Sequence, residues 1–216
     1  QNPVEGEVTL TPIQRWFFER KFTNEHHWNQ SVMLHALTGF DPETAGKALS
    51  KLIEHHDALR MVYQRNGDGI VQYNRGLEET AVRPEVIRFN ESGAELEAAV
   101  LKASNRIQSS SDLTEGPLLK AAIFKTDQGD HLLIVIHHLV VDGISWRILL
   151  EDFAAGYAQA EKGEPIILQD KTHSFAEYAA RLEEYAGSKA FAKEIGYWQE
   201  IEQAETAALP KDDEAE

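Results

Sequence analysis

Residues 132–146 read Leu-Leu-Ile-Val-Ile-His-His-Leu-Val-Val-Asp-Gly-Ile-Ser-Trp, and this stretch decides the fold. Its apolar first half shows no alternation with polar residues, which predicts a central strand covered on both faces. The strand leads through two histidines and a short apolar loop to Asp142, where a helix is expected to begin. Adjacent residues of an extended chain point to opposite faces, so His137 and His138 cannot both face one substrate. The pair is therefore a poor chelate, and no metal site is predicted.

Patterns on either side of this stretch indicate a mixed fold. Residues 11–14, Thr-Pro-Ile-Gln, and residues 174–177, Ser-Phe-Ala-Glu, have the form of capping boxes, which mark helix starts. Strands are predicted over residues 30–37, 58–64, 70–73, 82–89, 118–125 and 131–137, and helices over residues 12–22, 42–56, 95–107, from 143 onward, 174–185 and 191–198. Because helices and mostly antiparallel strands mix without a βαβ rhythm, we predict an α+β fold, a two-layer sandwich with a mainly antiparallel sheet.

The composition excludes several classes of function. The chain has 216 residues, with 21 Lys and Arg against 36 Asp and Glu, and a net charge of −15. Nucleic acid and anionic membranes bind basic surfaces, so neither is an expected partner. The absence of cysteine excludes disulfides, thiol nucleophiles and cysteine metal sites. No signal-peptide pattern opens the sequence and no apolar run is long enough to span a bilayer, so a cytoplasmic location is expected.

The histidine segment has both a chemical and a structural interpretation. Histidine suits proton transfer because its ordinary pKa lies near neutrality. A histidine at a strand end is nevertheless more often structural, Asp142 fits a helix cap, and Gly143 fits a turn. Ser145 is not predicted to be a nucleophile, because the following Trp-Arg lacks the closing small residue of a nucleophile elbow. From these residues taken singly, the structural interpretation is favoured.

Taken together, residues 137–143, His-His-Leu-Val-Val-Asp-Gly, resemble the HHxxxDG motif of the condensation superfamily of nonribosomal peptide synthetases. The continuation Ile-Ser-Trp-Arg-Ile-Leu looks like the form found in the epimerization domains of that superfamily. Residues 10–17, Leu-Thr-Pro-Ile-Gln-Arg-Trp-Phe, are similar to the PIQxWF motif of epimerization domains. Residues 27–31, His-Trp-Asn-Gln-Ser, also resemble a segment of epimerization domains. Residues 56–60, His-Asp-Ala-Leu-Arg, resemble the H(D/E)xLR element shared across the superfamily.

This resemblance implies a lobe like that of chloramphenicol acetyltransferase and a cofactor-free reaction. The family reaction inverts the α-carbon of an aminoacyl or peptidyl thioester, from L to D, on the phosphopantetheine arm of a peptidyl carrier protein, without metal. The second histidine of the motif is the catalytic one, which maps onto His138. The resemblance also suggests supporting and channel-lining residues. The supporting residues are His137, Asp142, Gly143 and Arg60, with Arg60 as an ion-pair partner of Asp142, and the candidates for lining the channel are Trp16, Trp28, Asn29 and Trp146.

The chain departs from the family pattern in one respect. It carries the motifs of a first lobe, but no counterpart of the later EGHGRE motif that supplies a second acid or base. We therefore expect residues 1–209 to form the N-terminal lobe, residues 210–216 to be an acidic tail, the missing C-terminal lobe to be a partner, and the lone lobe to be inactive. Two alternatives remain open: the lobe of a condensation or acyl-transfer domain, and a non-catalytic module that docks carrier proteins.

Overall fold

Two sheets form the framework of the chain, which the computed structural model describes over residues 4–67 and 69–206. The smaller sheet has the order β1-β4-β3 and the larger sheet the order β2-β7-β6-β5. The strands are β1 Gly6–Val8, β2 Asn29–Ala36, β3 Met61–Asn66, β4 Gly69–Asn74, β5 Glu85–Arg88, β6 Leu119–Thr126 and β7 Gly129–His137. The expected acidic tail over residues 210–216 lies outside the described residues, as does Asp68.

Seven α-helices accompany the sheets within the described residues. They are α1 Pro12–Glu19, α2 Pro42–His55, α3 Gly93–Gln108, α4 Gly143–Glu161, α5 Phe175–Ala186, α6 Lys189–Ala192 and α7 Ile195–Gln203. Every strand pairing is antiparallel except that of β5 with β6. The predicted α+β fold with a mainly antiparallel sheet is confirmed. Among the described helices, none is both long and apolar enough to cross a membrane.

The strand β7 is the centre of the larger sheet, with β2 on one side and β6 on the other. Its residues alternate between two apolar clusters. Ile134 and Ile136 face the cluster that includes Leu49 of α2, whereas Leu133 and Val135 face the cluster that includes α3. Each of these strand side chains is at most 2% exposed. The prediction of a central strand covered on both faces is therefore confirmed.

The strand predicted over residues 58–64 begins later than its sequence pattern indicates. Residues 58–60 belong to a 3-10 turn over Asp57–Arg60, and β3 starts only at Met61. The guanidinium Nη1 of Arg60 donates to the carbonyl oxygens of Ile53 and Glu54 at 2.9 and 2.8 Å. These carbonyls lie at the end of α2, so the bonds hold the chain in a tight turn where an extended strand was predicted.

The turn between β6 and β7 requires glycine at residue 129. Gly129 has a φ of 113°, and a Cβ added there would lie 2.8 Å from the Ala36 carbonyl oxygen and 2.9 Å from the His35 ring. Gly67 also has a positive φ, 59°, but a Cβ there meets no described heavy atom within 4 Å. A side chain at residue 67 would therefore cause backbone strain alone, whereas a side chain at residue 129 would cause backbone strain and a steric clash.

We expect Gly129→Ala to lower the free energy of unfolding by about 3 kcal/mol, because backbone strain and the clash with β2 add. The matched variant Gly67→Ala should lose only about 1 kcal/mol, the cost of the left-handed conformation. Denaturant unfolding of both variants measures the difference. Equal losses at the two sites would contradict the close approach of β2 to this turn.

Candidate active site

His137 and His138 lie on either side of the end of β7. His137 is the last residue of the strand and is 0% exposed, whereas His138 is exposed. The backbone N–H of His138 donates to the carbonyl oxygen of Trp28 at 2.7 Å, which continues the pairing of β7 with β2. Because the chain is still extended here, the two imidazoles point in opposite directions.

His137 is held as a neutral, structural imidazole. Its Nε2 lies 2.9 Å from the carbonyl oxygen of Glu25, which can only accept, and its Nδ1 accepts the backbone N–H of Leu139 at 3.1 Å. The ring also meets Phe17 edge to face, with centroids 5.8 Å apart. Burial lowers the pKa of His137 to about 4, since the hydrogen bond to Glu25 opposes the loss of hydration only in part. The ring therefore packs and carries no charge near neutrality.

His138 is oriented through both of its ring nitrogens. Nδ1 lies 2.8 Å from the carbonyl oxygen of Val141, and Nε2 lies 3.2 Å from the side-chain nitrogen of Gln30. The oxygen of that same amide accepts the indole N–H of Trp146 at 2.8 Å. No local sequence pattern identifies Gln30 as a site residue, because its position beside His138 depends on the register of β2 against β7.

A cleft of about 800 Å³ lies in front of His138. Its walls come from α1, from the loop after β7 and from α5, and Trp16 and Trp28 contribute their rings. Each of these two indoles is 41% exposed, which leaves an aromatic face beside the imidazole open to a ligand. A larger surface cavity of about 1100 Å³ lies beside α2 and does not include His138. The smaller cleft is therefore the candidate site, because it contains the histidine that is suited to proton transfer.

Gln14 of α1 ties the loop behind His138 to the rest of the fold. It is only 3% exposed, and its amide nitrogen lies 3.1 Å from the Leu139 carbonyl oxygen, 3.0 Å from the Tyr63 hydroxyl and 2.8 Å from the Gln72 side-chain oxygen. Its own oxygen accepts the backbone N–H of Thr11 at 3.0 Å, which completes the helix start seen in the sequence. One buried amide thus joins α1, β3, β4 and the histidine loop.

Asp142 caps the helix that follows the histidines. One carboxylate oxygen accepts both the backbone N–H and the hydroxyl of Ser145, each at 2.7 Å. These hydrogen bonds hold the pKa of Asp142 below its usual range. Gly143 is the first residue of α4, where a Cβ would meet no described heavy atom within 4 Å.

The expected pairing of Asp142 with Arg60 does not form. All the hydrogen bonds described for the Arg60 guanidinium go to backbone carbonyls, and the residue is 3% exposed. The acceptors are the carbonyl oxygens of Val4, Ile53, Glu54 and Arg75. The sequence could not reveal this, because carbonyl groups are present at every residue and carry no pattern. Arg60 supports the turn before β3 and does not reach the histidine loop.

Two of the four candidate channel residues lie elsewhere. Asn29 donates its amide N–H to the Gln108 carbonyl oxygen at 2.7 Å, at the end of α3, so it faces the side of β2 away from the cleft. The indole N–H of Trp146 is bound to Gln30 and does not point into the cleft. Asn29 and Trp146 are therefore not among the residues that line this cleft, whereas Trp16 and Trp28 are. Which of the four residues line a substrate channel stays a prediction.

A second histidine cluster joins α2 to α4. One ligand atom each from His55, His56 and Asp152 lies within 4.8 Å of the others. The closest pair is a direct hydrogen bond of 2.7 Å between His56 Nε2 and Asp152. Burial lowers the pKa of His56, and the hydrogen bond to Asp152 opposes this shift in part. The observed contact is a hydrogen bond that joins the two helices.

The chain is similar to known proteins over nearly its whole length. Residues 4–216 match the family described as Condensation domain. The chain is 62% identical over 216 residues to surfactin synthase subunit 1 of Bacillus subtilis (strain 168), covering 100% of this chain and 6% of that protein. It is 50% identical over 217 residues to tyrocidine synthase 2 of Brevibacillus parabrevis, covering 98% of this chain and again 6% of the relative. The chain thus spans a small part of these relatives.

Solved structures give the same result for the fold. The epimerization domain from the third module of tyrocidine synthetase B matches with a TM-score of 0.90 at 50% identity, over 97% of this chain and 48% of that one. A starter condensation domain of rhizomide synthetase matches with a TM-score of 0.77 at 19% identity, over 93% of this chain and 46% of that one. The second likeness concerns the fold alone.

The buried imidazole of His137 makes stability depend on pH. Above pH 6.5 the ring is neutral in both the folded and the unfolded chain. Between pH 6.5 and about 4 only the unfolded chain takes up the proton, so the free energy of unfolding falls as the pH falls. Below about pH 4 both states are protonated and the loss is complete, at about 3 kcal/mol.

We expect His137→Gln to remove this dependence, because the new amide N–H can still donate to Glu25 but does not titrate. Denaturant unfolding of the wild type and of His137→Gln from pH 7 to pH 4 measures the dependence. The free energy of unfolding of the wild type minus that of the variant removes the contribution of all other titrating groups. This difference should shrink by about 3 kcal/mol between pH 7 and pH 4. The variant His173→Gln controls for loss of an exposed histidine, and a constant difference for His137→Gln would show that His137 is not buried as a neutral ring.

Proposed function

This chain belongs to the Condensation domain family, and we propose that it is the N-terminal half of an epimerization domain of a nonribosomal peptide synthetase. The observation that carries the proposal is the match to a solved epimerization domain at a TM-score of 0.90 and 50% identity. The starter condensation domain shares the fold at only 19% identity. The alignment with the epimerization domain covers 97% of this chain, so the likeness is not confined to one segment.

The proposed reaction inverts the α-carbon of an aminoacyl or peptidyl group that a carrier protein holds as a thioester. The carbonyl of a thioester acidifies the neighbouring C–H bond, because the enolate formed on deprotonation spreads its charge onto the carbonyl oxygen. A base removes the α-proton on one face, and an acid returns a proton on the opposite face. No electrons are gained or lost overall, so the reaction itself requires no redox cofactor.

His138 is the proposed base, or acid, on one face. Its imidazole is exposed and lies on the cleft, whereas the imidazole of His137 is fully buried. The cleft volume of about 800 Å³ is large enough for an amino-acid side chain and the end of a phosphopantetheine arm. The indole rings of Trp16 and Trp28 offer an apolar wall against which such an arm can pack.

The group for the opposite face is proposed to come from the other half of the domain. Among the cleft-lining residues that the structure describes, the other ionisable side chains are Asp142 and Tyr178, and the carboxylate of Asp142 is committed to the cap of α4. The chain covers 48% of the similar epimerization domain. At the rim of the cleft, Ile13 is 67% exposed, as expected for a surface that further chain covers.

Replacement of the proposed base tests the function directly. In a protein that contains both halves of the domain, we expect His138→Ala to lower the rate of epimerization by about 10²- to 10⁴-fold, the usual contribution of one acid–base group. The substrate is a carrier protein loaded with an L-aminoacyl thioester, and chiral analysis after hydrolysis measures the D form. His173→Ala, at an exposed position just before α5, serves as the matched histidine control.

The products of that assay also discriminate between the alternatives. Amide formation without inversion would identify the chain as part of a condensation or acyl-transfer domain. Binding of the loaded carrier protein with no chemistry, in wild type and variant alike, would identify a docking module. Either result overturns the proposed epimerization.

The 216-residue chain alone is expected to fold and to be inactive. It has two apolar clusters and capped helices, so cooperative unfolding in denaturant should be observed. Inactivity follows because inversion requires a proton donor and acceptor on both faces. Incubation with the L-aminoacyl carrier protein, followed by hydrolysis and chiral analysis, measures formation of the D form, because a single base can exchange the α-proton without inverting the carbon. An amount of D form well above that of the carrier protein alone would show that one half suffices.

A further inference from the structure

We propose that Gln30, held by Trp146, is a positioning residue that keeps the proton of His138 on Nδ1 and leaves Nε2 as the basic nitrogen. The proposal concerns the state of the imidazole before substrate arrives. Its consequence for catalysis rests on the proposed function, whereas the state of the imidazole can be measured without it.

The orientation of the Gln30 amide follows from the chemistry of Trp146. An indole N–H can only donate a hydrogen bond. It lies 2.8 Å from one end of the Gln30 amide, so that end must be the carbonyl oxygen. The other end, which faces His138, is therefore the NH₂ group, and an NH₂ group of an amide can only donate.

The proton position on His138 follows in turn. The Gln30 nitrogen lies 3.2 Å from Nε2 of the ring, so Nε2 has to accept and cannot carry a proton in this arrangement. At the other side of the ring, Nδ1 lies 2.8 Å from the carbonyl oxygen of Val141, which can only accept. Nδ1 therefore donates. Two independent neighbours select the same neutral tautomer.

The backbone explains why Gln30 reaches this position. Gln30 pairs with Ile136 in the antiparallel register of β2 and β7. The carbonyl oxygen of Trp28 accepts the backbone N–H of His138, which extends the pairing beyond the end of β7. The side chain of Gln30 is thereby fixed next to the ring by the sheet, and the indole of Trp146 fixes its rotation.

The resulting imidazole is prepared to act as a base toward the cleft. A substrate proton must reach the lone pair of Nε2, which is the lone pair that Gln30 occupies weakly. At 3.2 Å this contact is at the long end of the range for N–H hydrogen bonds, so an arriving substrate displaces it easily. Without the Gln30 donor, the ring could also hold its proton on Nε2, and that form cannot remove a proton at Nε2.

The test is the protonation pattern of the His138 ring, read from long-range ¹H–¹⁵N correlation spectra of the ¹⁵N-labelled chain over a pH series. In the wild type we expect a protonated Nδ1 and an unprotonated Nε2 in the neutral ring. Gln30→Glu should place a proton on Nε2 in addition to the one on Nδ1, because the carboxylate can only accept and the Val141 carbonyl oxygen still accepts from Nδ1. Gln64→Glu, at an exposed position of β3, is the charge-matched control and should leave the pattern unchanged.

A second variant keeps the proposal falsifiable if Gln30→Glu does not fold. Trp146→Phe keeps an aromatic ring but lacks the indole N–H, so the amide can turn over and the spectra should show a mixture of the two tautomers. A wild-type ring protonated on Nε2, or an unchanged pattern in both site variants, would overturn the proposal.

The catalytic consequence is measured separately in a protein with both halves of the domain. A histidine that lacks the required lone pair can cost about 10⁴-fold in kcat, and for partial protonation of Nε2 in Gln30→Glu we expect about 10- to 100-fold, with KM unchanged. A shifted tautomer with no epimerization in the wild type would refute the proposed function and leave the positioning role intact. Normal epimerization in the wild type, together with a His138 protonation pattern that is the same in the wild type and the variants, would refute the positioning role and leave the proposed function intact.

Discussion

The candidate site depends on the alternation of side chains at the end of one buried strand. Since β7 is paired on both sides, its extended backbone persists through residue 137 and the next N–H still bonds to β2. The direction in which each imidazole points is thereby fixed by the sheet. One ring enters the apolar interior and loses its charge, and the other reaches the cleft. A shift of one residue in the pairing would exchange the environments of the two rings.

Hydrogen bonds from polar side chains hold the loop that follows β7 in place. Gln14 holds the Leu139 carbonyl, and Asp142 starts α4 immediately after the loop. Because α4 begins there, Trp146 lies one turn into the helix and reaches across to Gln30. The loop is therefore anchored at its start by α1 and at its end by a helix cap. Such a short connection between two rigid elements holds a side chain more precisely than a mobile loop does.

Local rules account for the parts of the fold that the sequence could predict. The uniform apolar run of β7, the helix cap at Asp142 and the opposite directions of the two histidines each follow from a few neighbouring residues. Prediction was less successful where the partner was distant or had no pattern of its own. Arg60 binds backbone carbonyls, and Asn29 reaches the end of α3. The position of Gln30 required the register of two strands far apart in the chain.

The buried amide of Gln14 has a consequence for the order of events in folding. It joins residues from α1, from both strands of a hairpin and from the loop after β7, which lie up to 125 positions apart in the chain. Contacts of such long range form only after the entropy of closing large loops has been overcome, so they form late in folding. The loop around the exposed histidine therefore acquires its final shape together with the native core. A partly folded chain, even one with its hairpins complete, would have no ordered cleft to offer a ligand.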